Sequence, residues 1–177
     1  MACDLTISIA KRCKDNLGGT RSLFLYNYIA APFTVTTGEA VAINVGLTVV
    51  REYYLEGEEN SLTQVQETSD TNTVNTSTVV ASIIVADAAT SAELNLLCYG
   101  GAGAVIKDRN GEYYAVAVEN TGIRAGQFLG MKWSVTEATG AAFTDKNGYT
   151  LTGIGMSGSL CPKLDAATAT AFEALVV

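Results

Sequence analysis

The chain has 177 residues, 48% of them hydrophobic and 16% charged, with no histidine and a formal net charge of −7. That length suits one domain with a substantial core. The missing histidine removes Ser-His-Asp, Cys-His and His-metal chemistry, the acidic balance argues against a tight nucleic-acid reader, and no apolar run approaches the ~18 residues of a membrane span.

In chain order, residues 1–19 read as an arm or short helix. Leu5, Ile7, Ile9 and Ala10 precede the basic run Lys11-Arg12-Cys13-Lys14, and Gly18-Gly19 releases the chain. The start Met-Ala-Cys-Asp lacks a basic region followed by a long apolar one, so no signal peptide is expected and retention in a cytoplasm is. Ser22–Tyr28 is a strand by aromatic content, Phe33–Thr37 a short edge strand after Pro32, and Ala40–Gly46 and Leu47–Leu55 are further strands. Residues 56–72 are polar with few large hydrophobes, which fits a long exposed hairpin or loop. Thr73–Val85 is rich in β-branched residues and carries no charge and no proline, as expected of an edge meant to be paired.

The best helix is 87–98. Asp87 is the N-cap, Ala88, Ala89, Ala92, Leu94, Leu97 and Cys98 form an apolar stripe, and Tyr99-Gly100-Gly101 is the stop. Two copies of one pattern follow, Asp108-Arg109-Asn110-Gly111 and Asp145-Lys146-Asn147-Gly148, each between β-forming runs. Asn-Gly tolerates the positive φ of tight hairpin turns and Asp supplies an acceptor for the turn amides, so both are read as hairpins. Gln127–Thr136 is a further strand, and 166–175 a helix or docking tail. The division is an arm (1–19), a β-rich domain (20–165) with extended loop 56–72, and a C-terminal tail or short helix (166–177).

Motifs for chemistry are scarce. Glu56, Glu58 and Glu59 are the only clustered carboxylates, in a segment unsuited to a rigid cleft. Gly100-Gly101-Ala102-Gly103 follows a helix and lacks the Gly-Lys-Ser/Thr ending, so it is a helix stop and not a phosphate loop. The Asp-x-Asn-Gly turns lack the third acid and closing Glu of a calcium loop. Cys3, Cys13, Cys98 and Cys161 have no C-x-x-C spacing and read as isolated buried thiols; a Cys3–Cys13 or Cys13–Cys161 bridge would follow only export or lysis. Trp133, Tyr53, Tyr54, Tyr113 and Tyr114 lack interleaved Arg and Lys, so packing explains them better than base stacking. No catalytic residue, metal or cofactor is expected. From Arg51 to Lys107 there is no intervening Lys or Arg, while Glu52, Glu56, Glu58, Glu59, Glu67, Asp70, Asp87 and Glu93 fall there. Such a stretch fits an acidic solvated loop or a wall that repels DNA.

The opening Met-Ala-Cys-Asp-Leu-Thr with Ile9–Gly19, and the late segment Gly140–Thr152, resemble virion structural proteins from phages of Bacteroidetes-type hosts. The order of elements is similar to that of phage tail tube proteins. The resemblance implies a mainly β fold, a β-sandwich or half-barrel of antiparallel strands with one flanking helix. It implies stacked hexameric rings whose inner sheets line a channel for the genome, with the chain's partners being itself, other virion proteins and phage DNA passing without sequence-specific contact. The arm and the 56–72 loop then meet the neighbouring ring, with Glu56, Glu58, Glu59, Leu62, Val65, Val74 and Val79 as expected subunit contacts. The glycine-rich run 153–161 departs from that pattern and leaves the length of the last strand open. Alternatives are a head-completion, connector or decoration protein of the same type of phage, or a monomeric β-sandwich binding module.

Overall fold

A computed structural model describes residues 17–55, 57–70, 72–84, 87–139 and 147–177. The first four strands are β1 (Thr20–Tyr26), β2 (Phe33–Thr36), β3 (Glu39–Ile43) and β4 (Arg51–Tyr54). A long hairpin of β5 (Ser61–Thr68) and β6 (Thr73–Ile83) follows, then α1 (Ala88–Gly100). β7 (Gly103–Asp108), β8 (Tyr113–Val116), β9 (Met131–Ala138) and β10 (Gly148–Ser157) lead to β11 (Lys163–Leu164) and α2 (Ala166–Glu173). Seven strands form one sheet in the order β2-β3-β11-β8-β7-β1-β4, and four form the other, β5-β6-β10-β9. The fold is mainly β, a two-sheet sandwich with flanking helices, as expected.

The core forms where the inward-facing residues of both sheets meet. Leu23, Ile106 and Val116 of the larger sheet face Val79, Ala81 and Leu151 of the smaller, while Phe24, Val105 and Ala115 alternate to the larger sheet's other face, on the side of α2. Aromatic rings bind the C-terminus to this core. Phe172 of α2 is fully buried and lies edge-on to Phe24 at 5.5 Å between centroids, with Phe33 at 6.1 Å. Residues 166–173 are thus a docked helix, capped by Asp165, whose carboxylate accepts from the Thr168 amide at 2.7 Å. The chain then returns to the sheet, and Val177 N–H donates to the Val50 carbonyl at 3.1 Å.

The α1 helix forms where the sequence places it. The Asp87 carboxylate accepts from Thr90 N–H at 2.6 Å, Leu94 and Leu97 are buried, and Gly101 closes the end with φ 59°. The first Asp-x-Asn-Gly segment is a hairpin turn between β7 and β8. Asp108 accepts from the amides of Asn110 and Glu112, both at 2.8 Å, and Gly111 has φ 90°. Asn110 stays outside the left-handed region. The turn is therefore a three-residue loop closed by glycine, instead of a tight turn with both residues at positive φ.

The second segment differs. Asp145 lies outside the described residues, and Gly148 is the first residue of β10, paired with Ala138, with no positive φ. A Cβ at Gly148 would stand 2.1 Å from the Ile83 carbonyl oxygen, so close approach of strands, not turn geometry, calls for glycine here. β9 and β10 are still hydrogen-bonded antiparallel neighbours, with Asn147-Gly148 at the start of the second strand.

The glycine-rich run after Leu151 stays in the sheet. β10 continues to Ser157, and its glycines face inward at alternate positions. A Cβ on Gly153 would meet the Trp133 ring at 2.7 Å, and one on Gly155 would meet the Ala117 Cβ at 2.5 Å. Missing side chains make room for Trp133, Met131 and Ala117, which is how a strand of weak propensity is held by packing.

Candidate assembly surfaces

Residues 61–68, expected within a loop or hairpin, form the outermost strand of the smaller sheet, paired with β6 from Ser61↔Val80 to Thr68↔Thr73. The chain reverses at Ser69–Asn72, where Ser69 N–H donates to Asn72 O at 2.8 Å. β6 is consequently not an edge. It pairs with β5 on one side and with β10 on the other, from Ile83↔Tyr149 to Asn75↔Ser157. Its freedom from charge reflects a central strand, a reading that the same composition permits equally well.

Pairing and the two-residue alternation of strands assign the two faces. Leu62, Val79, Leu151, Gly153, Trp133 and Val135 look into the sandwich. Thr63 and Val65 of β5, Thr76 and Thr78 of β6, Thr152, Ile154 and Met156 of β10, and Ser134 and Thr136 of β9 look outward. Among the described residues, Glu67 and Lys132 are the only charged ones on that outward face. Val65, Val74, Ile154 and Met156 are 48%, 42%, 43% and 59% exposed and adjoin one another near the β5–β6 turn. From Val65 to Val74 every described residue of the hairpin is exposed on both faces, so its tip stands clear of the larger sheet.

The sheet edges differ in kind. The larger sheet ends on β2 and β4, each of four residues. The smaller ends on β5 and β9, each of eight residues and free of proline. Lys132 is the only lysine on either long edge. Short edges are a common protection against pairing, and long ones without proline lack it.

The residues expected at a subunit contact divide accordingly. Val65 and Val74 are exposed on the outward face, and Glu58 and Glu59 are exposed just before β5. Leu62 is half-buried and packs inward against the core. Val79 is fully buried at the centre of the chain's own core, so it is no contact residue; its position in β6 alternates to the inner face. Glu56 lies outside the described residues, as do Cys3 and Cys13.

Three polar arrangements were not legible beforehand. Asn110 does more than turn the chain. Its side-chain amide accepts from Leu17 N–H and donates to Leu17 O, each at 3.0 Å, clamping the start of the described chain to the β7–β8 turn. Asn60 Oδ1 accepts from Ser82 N–H at 2.7 Å, and Asn60 O accepts from Thr20 N–H at 3.2 Å, fixing where β5 begins. Buried Glu119 accepts from Gly158 N–H at 2.8 Å and from the Ser159 hydroxyl at 2.5 Å, which holds the chain end of β10 against the β8–β9 connection. A lone Glu before Asn120 and a Gly-Ser pair about forty residues later give no local signal of that contact.

On the far side, Lys107 Nζ lies 2.8 Å from Glu173 and 4.7 Å from the Tyr113 ring centre, and Tyr113 donates to the same Glu173 oxygen. The hydrogen bond from Lys107 chiefly holds the Glu173 carboxyl below its usual range, and the bond to Glu173 chiefly raises Lys107. These groups staple α2 to the sheet. Burial pushes up the Cys161 thiol, whose sulfur lies 3.2 Å from Ser77 Oγ, whereas Cys98, expected buried, is exposed on α1. Among the described residues no group of His, Cys, Asp and Glu could hold a metal ion, and no helix is long and apolar enough to cross a membrane. Comparisons with protein-family models, with curated proteins and with solved structures return no match.

Proposed function

We propose that this protein is a structural subunit that works by self-assembly, forming closed rings that stack into a tube, as a phage tail tube subunit does. The observation that carries this reading is the pair of long, proline-free edges on one small sheet. Strand direction alternates from β5 through β6 and β10 to β9, so the two edges run opposite ways. β9 of one copy therefore meets β5 of the next as an antiparallel pair, and every copy repeats the same head-to-tail contact. Such heterologous contacts close into a ring when the rotation permits.

Layer order supports the channel. When a two-layer wall closes, the layer with fewer strands takes the smaller circumference. The four-stranded sheet then faces the axis, and its bare Ser/Thr-rich face becomes the lumen wall. For six copies, strands spaced about 4.8 Å apart give a backbone radius of about 18 Å untilted and about 24 Å at a 40° tilt. A bore of that order admits a DNA duplex. The wall offers passing DNA hydroxyls and aliphatic groups with almost no lysine or arginine, so phosphates find little to grip. The acids Glu58 and Glu59 fall at a rim, beside the start of β5.

Negative-stain microscopy of the purified chain, with sedimentation across a hundredfold range of concentration, tests this. Rings or tubes of constant diameter are expected; a monomer at every concentration would sink the proposal.

A further inference from the structure

The Asn-Gly pairs of the two Asp-x-Asn-Gly segments carry a reactivity that the hairpins do not use. Where glycine follows asparagine, no side chain shields the glycine nitrogen, and that nitrogen can attack the asparagine carboxamide. At Asn110 the same carboxamide is also a clamp. Its Oδ1 accepts from Leu17 N–H and its Nδ2 donates to Leu17 O, each at 3.0 Å, and Nδ2 donates again to Asp108 Oδ2 at 3.2 Å. Gly111 N–H donates to Asp108 O at 3.3 Å. Asn110 and Gly111 are both exposed to water, with φ at Gly111 of 90°. Asn147 precedes the second glycine, is exposed at the start of β10 and takes no part in this clamp.

We propose that Asn110-Gly111 is a self-modifying latch: the pair deamidates when the Leu17 clamp opens, and the product cannot close it again. While closed, the clamp holds the carboxamide by both ends. Turning Cγ toward Gly111 N breaks all three of its bonds, so opening comes first. Attack then forms the bond from Gly111 N to Asn110 Cγ and breaks the Cγ–Nδ2 bond. Nδ2 leaves as ammonia with the Gly111 amide proton, and a succinimide ring remains. Water opens the ring at either carbonyl to leave aspartate or isoaspartate, whose acid proton passes to solvent. One water is consumed, one ammonia is released, and nothing is oxidised or reduced.

Either product is an acceptor only, so the donation to Leu17 O is gone. Each also sets a second negative charge beside Asp108, adding one to the −7 of the chain. Isoaspartate further lengthens the main chain of the turn by one methylene and hangs its carboxylate directly on the α-carbon, off the clamp position. The tie between the entry to β1 and the β7–β8 turn therefore has a chemical lifetime. None of this depends on the assembly reading.

Peptide mapping by mass spectrometry, during incubation of the full chain in native buffer and in denaturant, tests the latch. One hydrogen bond of ordinary net strength shifts an opening equilibrium about fivefold, so Asn110 is expected to deamidate about 5- to 30-fold slower in the native chain than in denaturant. Leu17→Pro removes the N–H donor and leaves the Asn110-Gly111 pair intact. It should speed native deamidation of Asn110 about fivefold, while deamidation of Asn147 and hydrogen exchange of the β6 amides keep their rates. The isoaspartate form, separated by chromatography, should show the Leu17 amide exchanging severalfold faster than in the parent chain. Equal rates at Asn110 in native and denatured chains overturn the proposal. So does a Leu17→Pro chain with an unchanged Asn110 rate, or with Asn147 accelerated equally, which marks general loosening. An isoaspartate form with unaltered Leu17 exchange overturns the latch as well.

Discussion

Proline at Val65 or Gln66 tests the β5 edge directly. Adjacent residues of an antiparallel strand point their N–H and C=O groups to opposite sides, so one of these two directs its N–H to β6 and the other to the free edge. The two substitutions thus separate themselves. The variant that breaks the β5–β6 ladder melts earlier; the other leaves the monomer close to unchanged, because both side chains are exposed. In a β9–β5 contact of two eight-residue strands, the tolerated proline removes one donor, about 1 kcal/mol, and leaves a neighbour's carbonyl unsatisfied, about 1–3 kcal/mol more. A loss of about 2–4 kcal/mol per contact raises the concentration needed for assembly by about 30- to 900-fold. Sedimentation of a dilution series reads that threshold directly. If the variant with the unchanged melting temperature assembles at the same concentration as the original chain, β5 is not the joining edge.

Gly155→Ala places a methyl 2.5 Å from Ala117 Cβ and should lower stability by about 1–3 kcal/mol, visible in a thermal melt. Phe172→Ala empties a fully buried site between Phe24 and Phe33 and should cost about 3–5 kcal/mol, with loss of α2 signal by circular dichroism before the sheets unfold. The depressed Glu173 carboxyl adds stability above the ordinary carboxylate value that is lost as pH falls through the lowered folded value, so melting temperature should drop on acidification below about pH 4. With Glu173 about half exposed the effect is under about 1 kcal/mol, and Glu173→Gln should flatten that part of the profile. Asn110→Ala should speed exchange of the Leu17 amide severalfold while the β7–β8 turn persists through Asp108; unchanged exchange at Leu17 would refute the clamp.

Local signals were read correctly where one residue controls one turn. Asp87 and the Leu94–Leu97 spacing placed α1, and Asp108 with Gly111 placed the β7–β8 hairpin. What the sequence hides is lateral position. β6 lacks charge because it lies between two strands, whereas an edge awaiting a partner shows the same composition. β5 looks like a loop since its later residues are exposed on both faces and carry no inward hydrophobe beyond Leu62. The glycines of β10 suggest irregular chain until Trp133, twenty residues earlier, is seen to fill their space. Likewise the expected contact residue Val79 could be recognised as core only once its pairing with Leu62 and Gly153 was known. Deleting 56–72, a mild change were the segment a loop, would strip β5 from β6, so shortening only the tip around Ser69–Asn72 is the change that separates contact between the proposed rings from contact within them.

The even number of strands in the smaller sheet has one more effect. In the proposed ring each copy would join its neighbour without inversion, placing all β5–β6 turns at one rim and all starts of β5 at the other. A tube grown from such rings has a direction, with chemically unlike ends, so whatever initiates growth at one end cannot be mistaken for what terminates it at the other. Changes to the Ser69–Asn72 turn alter only one end's vocabulary, leaving the bore as it was.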